Sequence, residues 1–510
     1  MRRLSWIVLA LAWLAQPADA GPLAGAIAAI SGFIGSLGPI GSAVLRIVIG
    51  KVLSRLGRSR SRKEQKRGIK AQFTGYGEDL PQTFLLGQVG TPGYWVAPWM
   101  SHGADNRFLN YVIDLGDLPI TALTKVFVNG EEVVFAGTAH PDYGTPATGQ
   151  GMWLKFYDGT QTAADPMLLD KYGSDPERPW LSDMVLTGVP YAILTFKFNP
   201  SRFNGRPEVR FEAQGIPLYD PRKDSTVGGS GSHRWNDPST WEFTENNIVM
   251  AYNIARNIAF PDGTVWGLGA EAEDLPLANW FAGMNACDAQ VAIEGGGTEA
   301  AYRASMEVSV DREPYDVIDE LLKACGGEWL EFGGYFHVAV GAPSSSVLFI
   351  TDDDVIVTSP RVFEPFPGHS ETYNAVSAVY RSAENAWEPT DAEVLTNPSW
   401  ETEDGGERLI AQIELEAVGY DRQVRRLMRE LAGDNRRFRG HALPLPPEAL
   451  SILPLETLSW TSDFNGYSGK LFEITKKIID PRTLESGAVI RERDPTDYHP
   501  DPAHDALVAA

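Results

Sequence analysis

Cysteine is almost absent from this chain: 510 residues hold two, Cys287 and Cys325. Two cysteines make neither a disulfide framework nor a cysteine-based zinc site. Both read as small apolar core residues, since free cysteine is among the most buried side chains. No cysteine stands near the N-terminus, which excludes a lipoprotein signal. Histidine is scarce too. His102, His140, His233, His337, His369, His441, His499 and His504 are scattered, and none is spaced to share a metal on one helix or strand face.

Catalytic signatures are missing as well. There is no His-Glu-x-x-His, no Gly-x-Ser-x-Gly, no Gly-x-x-x-x-Gly-Lys-Ser/Thr, and no Gly-x-Gly-x-x-Gly opening a helix after a strand. The run Asn465-Gly466-Tyr467-Ser468-Gly469-Lys470 ends in Gly-Lys, but its spacing is wrong and Leu471 replaces the hydroxyl. Asp352-Asp353-Asp354 lacks the ligand spacing and glycine of a calcium loop and reads as a solvated turn. Glu401, Glu403 and Asp404, or Glu328 and Glu331, could be imagined as acid/base pairs, but nothing in the sequence sets their separation. Trp95, Trp99, Trp235 and Trp241 are compatible with sugar stacking and read better as core or interface rings. The residues thus point to no catalytic, cofactor-binding or metal-ligating set, and no enzyme is expected.

What is present is an ordinary globular mix, 43% hydrophobic and 22% charged, with 50 Gly and 35 Pro. That excludes a mostly disordered chain, a coiled coil and a multi-span membrane protein, and predicts a turn-rich, β-rich body. The length predicts three or four domains. Net charge is −23, unevenly placed: residues 1–70 carry +10 and the other 440 carry −33. So acidic a body repels nucleic-acid phosphates and does not suit a DNA-binding protein. The same charge could line a path that DNA crosses without sticking.

The N-terminus supports two readings. Arg2 and Arg3, the apolar stretch Leu4–Ala15 and Ala18-Asp19-Ala20 have the form of a secretory signal over residues 1–20. An uncharged apolar segment, Gly21–Leu45, and a basic run from Arg58 to Arg67 follow. That order suits contact with a membrane or anionic lipid by residues 4–57. It equally suits an apolar segment buried against a partner chain.

Periodicity then predicts the body. Residues 71–215 read as a first β-rich domain, with a hairpin turning at Asn129-Gly130, strands at Tyr191–Phe198 and Val209–Ala213, and a long excursion over 138–185. Residues 216–350 read as an α/β domain. It has a helix capped by Thr244, a second helix within 276–292, and a helix-then-hairpin unit over 311–341 with Asp311 as cap. Residues 351–480 read as a second β-rich domain interrupted by a helix at Arg422–Ala432, and 481–510 as a polar tail. No fixed-period repeat is present.

The segment "GIPLYDPRKDSTVGGSGSHRWNDPSTWEFTENN", residues 215–247, resembles the tyrosine-Asp-Pro-Arg segment of tail-tip proteins from long, flexible-tailed phages, the family of the phage lambda host-specificity protein. "NWFAGMNACDAQV" and "VSVDREPYDVIDELLKACGGEWLEFGGYFHVAVGAP" are similar to that family's central α/β part. "LNYVIDLGDLPITALTKVFVNGEEV" is similar to its first hub part, and "ITDDDVIVTSPRVFEPFPGHSETYNAVSAVYRSAENAWEPTD" with "GYSGKLFEI" to its second. The resemblance covers about residues 71–498. It implies a baseplate-hub-like α+β architecture with β-barrel or sandwich hub domains. It also implies a homotrimer at the tail tip, joined to tail tube or distal tail proteins and the tape measure protein on one side and to receptor-binding or fibre proteins on the other, with DNA only in transit. It implies no catalytic residue. Two features depart from the family pattern: the signal-like N-terminus, and an end at Ala510 where typical members continue into fibronectin-like modules. The alternative is a secreted or envelope-anchored protein that binds or hydrolyses surface polysaccharide.

Overall fold

The computed structural model describes residues 80–96, 100–200, 206–366, 372–479, 481–482 and 484–505. The signal-like stretch 1–20, the apolar and basic segments that follow it, Trp99 and His369 lie outside the described residues. The described chain is β-rich α+β, as expected, with six α-helices: α1 (Pro166–Tyr172), α2 (Asn247–Arg256), α3 (Leu277–Asp288), α4 (Pro314–Lys323), α5 (Pro398–Glu403) and α6 (Asp421–Asn435). Every sheet among the described residues is open, so the barrel form of the expected hub domains is not found there.

Two compact units are built from separated stretches. The larger combines Arg67–Ser344, Gly368–Arg437 and Arg493–Ala510; the smaller includes Ser345–Pro367 and Phe438–Glu492.

The larger unit holds a six-stranded sheet in which Phe108–Asp114 pairs with Tyr191–Lys197, and that strand with Met152–Tyr157, all antiparallel. Trp153, expected in an excursion, is therefore in a sheet strand. A four-stranded sheet orders Gln88–Thr91, Val209–Gln214, Ala122–Val128 and Glu131–Glu132. Its tight turn is at Asn129 (φ 54°) and Gly130 (φ 81°), the left-handed pair that Asn-Gly accommodates. A third sheet centres on Ala375–Ser382, which pairs in parallel with Ile410–Leu415.

Helix α2 lies at the centre of the largest apolar core. Ile248, Ala251, Tyr252 and Ala255, which share one face at helical spacing, are buried, but so is every residue from Asn247 to Ala255. Its cap is Asn246, whose Oδ1 accepts from Ile248 and Val249 N–H at 3.0 Å, and not Thr244, whose Oγ1 accepts from Asn246 N. Helix α4 likewise starts after Glu313 rather than Asp311. Gly326 (φ 58°) follows α4, and the hairpin Glu328–Phe332/Tyr335–Ala339 turns at Gly333-Gly334.

In the larger unit, Trp387 enters from a turn whose residues Ala386 and Trp387 have φ of 50° and 63°. Its ring fills the space in front of Gly90 and Gly419: an added Cβ would come within 2.3 Å and 2.7 Å of it. Its Nε1 donates to the buried Glu212 Oε2 at 2.9 Å. Arg210 holds the same turn, donating to Ala386 O at 2.7 Å and pairing with Glu388.

In the smaller unit, six strands run in the order Leu348–Ile350, Thr457–Ser462, Tyr467–Ile479, Ser486–Glu492, Gly440–Leu445 and Val362–Glu364. Ser486–Glu492 falls within the expected polar tail, yet it is an inner strand whose Ala488 and Ile490 enter the core. Lys477 is buried because its Nζ donates to the carbonyls of Ala449, Leu450 and Ile452 at 2.6–2.8 Å, closing the turn Pro447–Ser451.

Two substitutions test the Trp387 wedge. Trp387→Ala leaves a cavity and removes a donor from a buried carboxylate, and should lower unfolding free energy by about 3–5 kcal/mol. Gly90→Ala should destabilise by overpacking, while Gly130→Asn, in an open turn that tolerates positive φ, should be nearly neutral. Urea unfolding of the three variants checks the order.

Candidate functional site

The loop over residues 215–243 carries the resemblance to tail-tip proteins, and polar bonds hold it in one shape. Asp220 accepts from Arg222 N at 2.9 Å and from its guanidinium at 2.8 Å. Arg222 then reaches α3, pairing with Asp288 at 2.8 Å and donating to Asn285 Oδ1 at 2.9 Å. Asp224 accepts from Tyr219 Oη at 2.8 Å, from Thr226 and from Arg234 at 2.9 Å. The buried His233 accepts the Asp220 N–H through Nδ1 at 3.1 Å, and burial pushes its pKa down. Tyr219 lies in an aromatic group with Trp235, Trp241 and Tyr252, and Arg256 stacks over Trp235 at 4.3 Å. Asn253 on α2 clamps Tyr219, accepting from its N–H and donating to its carbonyl. This is a shaped loop on a rigid helix, with its charges neutralised internally.

The other candidates separate. Trp235 and Trp241 are half-buried in that group, and Trp95 packs edge-on against Tyr111 at 4.6 Å. Glu401 pairs with Arg408 at 2.6 Å; Glu403 and Asp404 both pair with Arg436 at 2.9 Å. Glu328 and Glu331 are three apart on one strand, which directs them to opposite faces. Asp352–Asp354 form a short turn, and among the described residues no group of His, Cys, Asp or Glu could hold a metal. His441 is buried against Tyr467 Oη at 2.9 Å, and desolvation pushes it down to about 4. No helix among the described residues is long and apolar enough to cross a membrane.

Two features escaped sequence reasoning. The first is an arginine face on and just beyond α6 that clasps residues 493–505. Arg437 grips Asp497 with two bonds of 2.6 and 2.7 Å. Arg426 and Arg429 approach the buried Asp505 at 3.5 and 3.4 Å, and Arg493 pairs with Asp434 at 3.0 Å. Arg422, Arg425, Arg426 and Arg429 at helical spacing were the available signal. Beneath them Glu430 is buried, with both oxygens 2.9 Å from the Tyr302 hydroxyl that donates to them. The second feature is a set of exposed large apolar side chains on the smaller unit: Phe464 is 82% exposed, Val357 78%, Phe349 75% and Phe366 71%.

The family model described as "Putative phage tail protein" matches residues 313–476. No curated protein sequence matches the chain. Among solved structures, a chain of the virion of a native gene transfer agent particle is similar, with a TM-score of 0.58 at 15% identity over 94% of this chain and 99% of that one. The fold is thus shared nearly end to end with a virion chain. The tail protein from Neisseria meningitidis (TM-score 0.31, 9% identity, 82% and 100% coverage) and a 43 kDa prophage tail protein from Shewanella oneidensis (0.29, 8%, 82% and 96%) are also matched, at similarities too low to carry a fold argument.

Burial pushes Glu430 up from an ordinary 4.5 to about 8, against the pull of Tyr302, Arg429 and Arg426. Asp114 rises from 3.8 to about 8 through burial and the nearby Asp117. Both folded values exceed the unfolded ones. The stability they contribute is complete below about pH 4 and is lost as pH rises through about 8. Thermal unfolding at pH 5 and pH 9 should therefore show a fall that Glu430→Gln reduces, giving the variant the higher Tm at pH 9. Parallel pH profiles would refute this. Separately, Arg437→Ala should release residues 493–505 to amide exchange and lower stability by about 1–3 kcal/mol.

Proposed function

We propose that this chain is a structural protein of a phage-type virion, the trimeric hub that closes the distal end of a tail tube. It would join tail tube or distal tail proteins and the tape measure protein to receptor-binding or fibre proteins, and open for DNA to pass into the host. The observation that carries this is the near end-to-end fold shared with a chain of a gene transfer agent virion. The phage tail match over residues 313–476 supports it independently. The body's charge of −33 suits a conduit that DNA crosses by like-charge repulsion. The exposed rings of the smaller unit suit contacts between copies. Residues 4–57 would serve as the segment that meets the tape measure protein or the host membrane. The polysaccharide alternative has less behind it: the carboxylates at 401–404 are tied to arginines, and the candidate tryptophans that are described are packing groups.

Immunogold electron microscopy of particles, with an antibody against residues 71–480, should place gold at the distal ends of tails. Label confined to the cell envelope would discard the hub. In solution, the full chain should sediment as a trimer, and Phe349→Ser with Phe464→Ser should shift it at least tenfold toward monomer without changing its circular dichroism.

A further inference from the structure

The chain carries three Asn-Gly pairs, and two of them, Asn129-Gly130 and Asn465-Gly466, lie among the described residues. In this dipeptide the glycine nitrogen can attack the side-chain amide of the asparagine before it, because no glycine side chain shields it. The two glycines are alike: each has a positive φ, 81° and 69°, and a Cβ on either would meet nothing within 4 Å. The asparagines differ. Asn129 is seated against Glu208 by two bonds: its N–H donates to Glu208 O at 2.8 Å, and its Oδ1 accepts from the Glu208 N–H at 2.9 Å. A donor on Oδ1 sits where negative charge develops when the amide carbon is attacked. The arm that carries Gly130 is thin, because it leads into a strand of two exposed residues, Glu131–Glu132. So short and exposed a strand opens at little cost, and the nucleophile can move while the amide stays held. Asn465 is held by the other end of its amide. Its Nδ2, the nitrogen that must leave, donates to Ser462 Oγ at 2.8 Å, and its backbone N–H donates to the same oxygen at 3.0 Å. Its neighbour Phe464 is tied to Asp352 by a 3.2 Å bond from the backbone N–H.

We propose that Asn129 is a site of spontaneous covalent modification, converted to aspartate and isoaspartate through a cyclic imide with Gly130, with the Glu208 N–H stabilising the oxyanion. Hydroxide takes the proton of Gly130 N as that nitrogen bonds to Asn129 Cγ, and the negative charge passes to Oδ1. The tetrahedral centre then collapses. The Cγ–Nδ2 bond breaks, and Nδ2 takes a proton from water and leaves as ammonia, which restores the hydroxide. Water next opens the imide at either carbonyl. Breaking the bond from Gly130 N to Cγ gives aspartate. Breaking the bond from Gly130 N to the main-chain carbon gives isoaspartate, whose backbone runs through the former side chain. The net change consumes one water and releases one ammonia, with no oxidant or reductant. The new carboxylate adds negative charge to a tip that already carries Glu131 and Glu132. Isoaspartate also lengthens a two-residue turn whose fit depends on the Asn-Gly geometry. The reaction requires nothing of the proposed tail function.

The test incubates the full chain at pH 8 and 37 °C, folded and in urea, and follows it by tryptic mapping. Peptides 126–155 and 440–470 each hold one of the two asparagines, so the amide-to-acid mass gain is read separately for each site. Enzymatic methylation of isoaspartate counts the second product. In the folded chain Asn129 should convert roughly tenfold faster than Asn465, whereas in urea the two rates should match. Glu208→Pro, which deletes the donor, should slow Asn129 in the folded chain and leave its rate in urea unchanged. Equal folded rates at the two sites would overturn the proposal. So would an Asn129 that converts only in urea, or an unslowed Glu208→Pro. Should Glu208→Pro fail to fold, the ratio of the two sites in the wild type, folded against urea, decides alone.

Discussion

A carboxylate that is 1% exposed must be given donors by its surroundings, and Glu212 draws them from three distant stretches of chain. Gln88, Thr124 and Lys125 supply side-chain donors from the strands beside it, and Trp387 supplies its indole N–H from nearly two hundred residues away. Removing any one strands charge in a medium that does not solvate it. Much of the larger unit follows from this requirement. The chain must return from Ser345–Pro367 to place Trp387, the turn that delivers the indole must adopt positive φ, and Gly90 and Gly419 must stay bare to admit the ring. The carboxylate therefore specifies which strands and turns meet, while apolar burial supplies the driving force.

Local features were legible because their causes are local. Asn129-Gly130 predicts its hairpin, and the stripe of Ile318, Leu321, Leu322 and Cys325 predicts α4. Caps were misassigned by two residues at Thr244 and Asp311, because several polar residues precede each helix and only tertiary context selects one. The interleaving of the two units had no local signature at all. Ser486–Glu492 looks polar in its setting, yet it is paired on both sides, with the preceding strand Tyr467–Ile479 and with Gly440–Leu445.

The candidate site was legible in its residues but not in its logic. The Tyr219-Asp220-Pro221-Arg222 run marks a special segment. Its internal neutralisation, with Asp220 on Arg222 and Asp224 on Arg234, appears only once the loop is closed. The arginines of α6 show the same effect more strongly. Their helical spacing alone assigns them no partner, because a sequence window does not show that Asp497 and Asp505 return to meet this face and the arginine just beyond it. The exposed rings of Phe349, Phe366 and Phe464 were hidden for the opposite reason. Phe349 is in a strand, whereas Phe366 and Phe464 lie in the connections beside strands, and an apolar residue in the sequence does not state whether anything covers it.

Several of these features converge on the turn at Gly326-Gly327. Gln423 on α6 donates to Ala324 O at 2.7 Å, and Arg493 reaches Gly341 O at 2.9 Å. The Glu430 carboxylate lies 3.5 Å from where a Cβ on Gly326 would stand, and Cys325 is the adjacent residue. Helix α4, helix α6 and the returning C-terminal segment are thus held by buried polar contacts, not by apolar contact alone. Sliding one past another would strand an acid or an arginine in the core, with no water to replace its partner. That makes the surroundings of this turn a poor place for a conformational change. Under the proposed function, the movement that lets DNA through belongs at contacts between copies. Under that proposal, surfaces such as the exposed rings would make those contacts, and opening them would leave no buried charge without a partner.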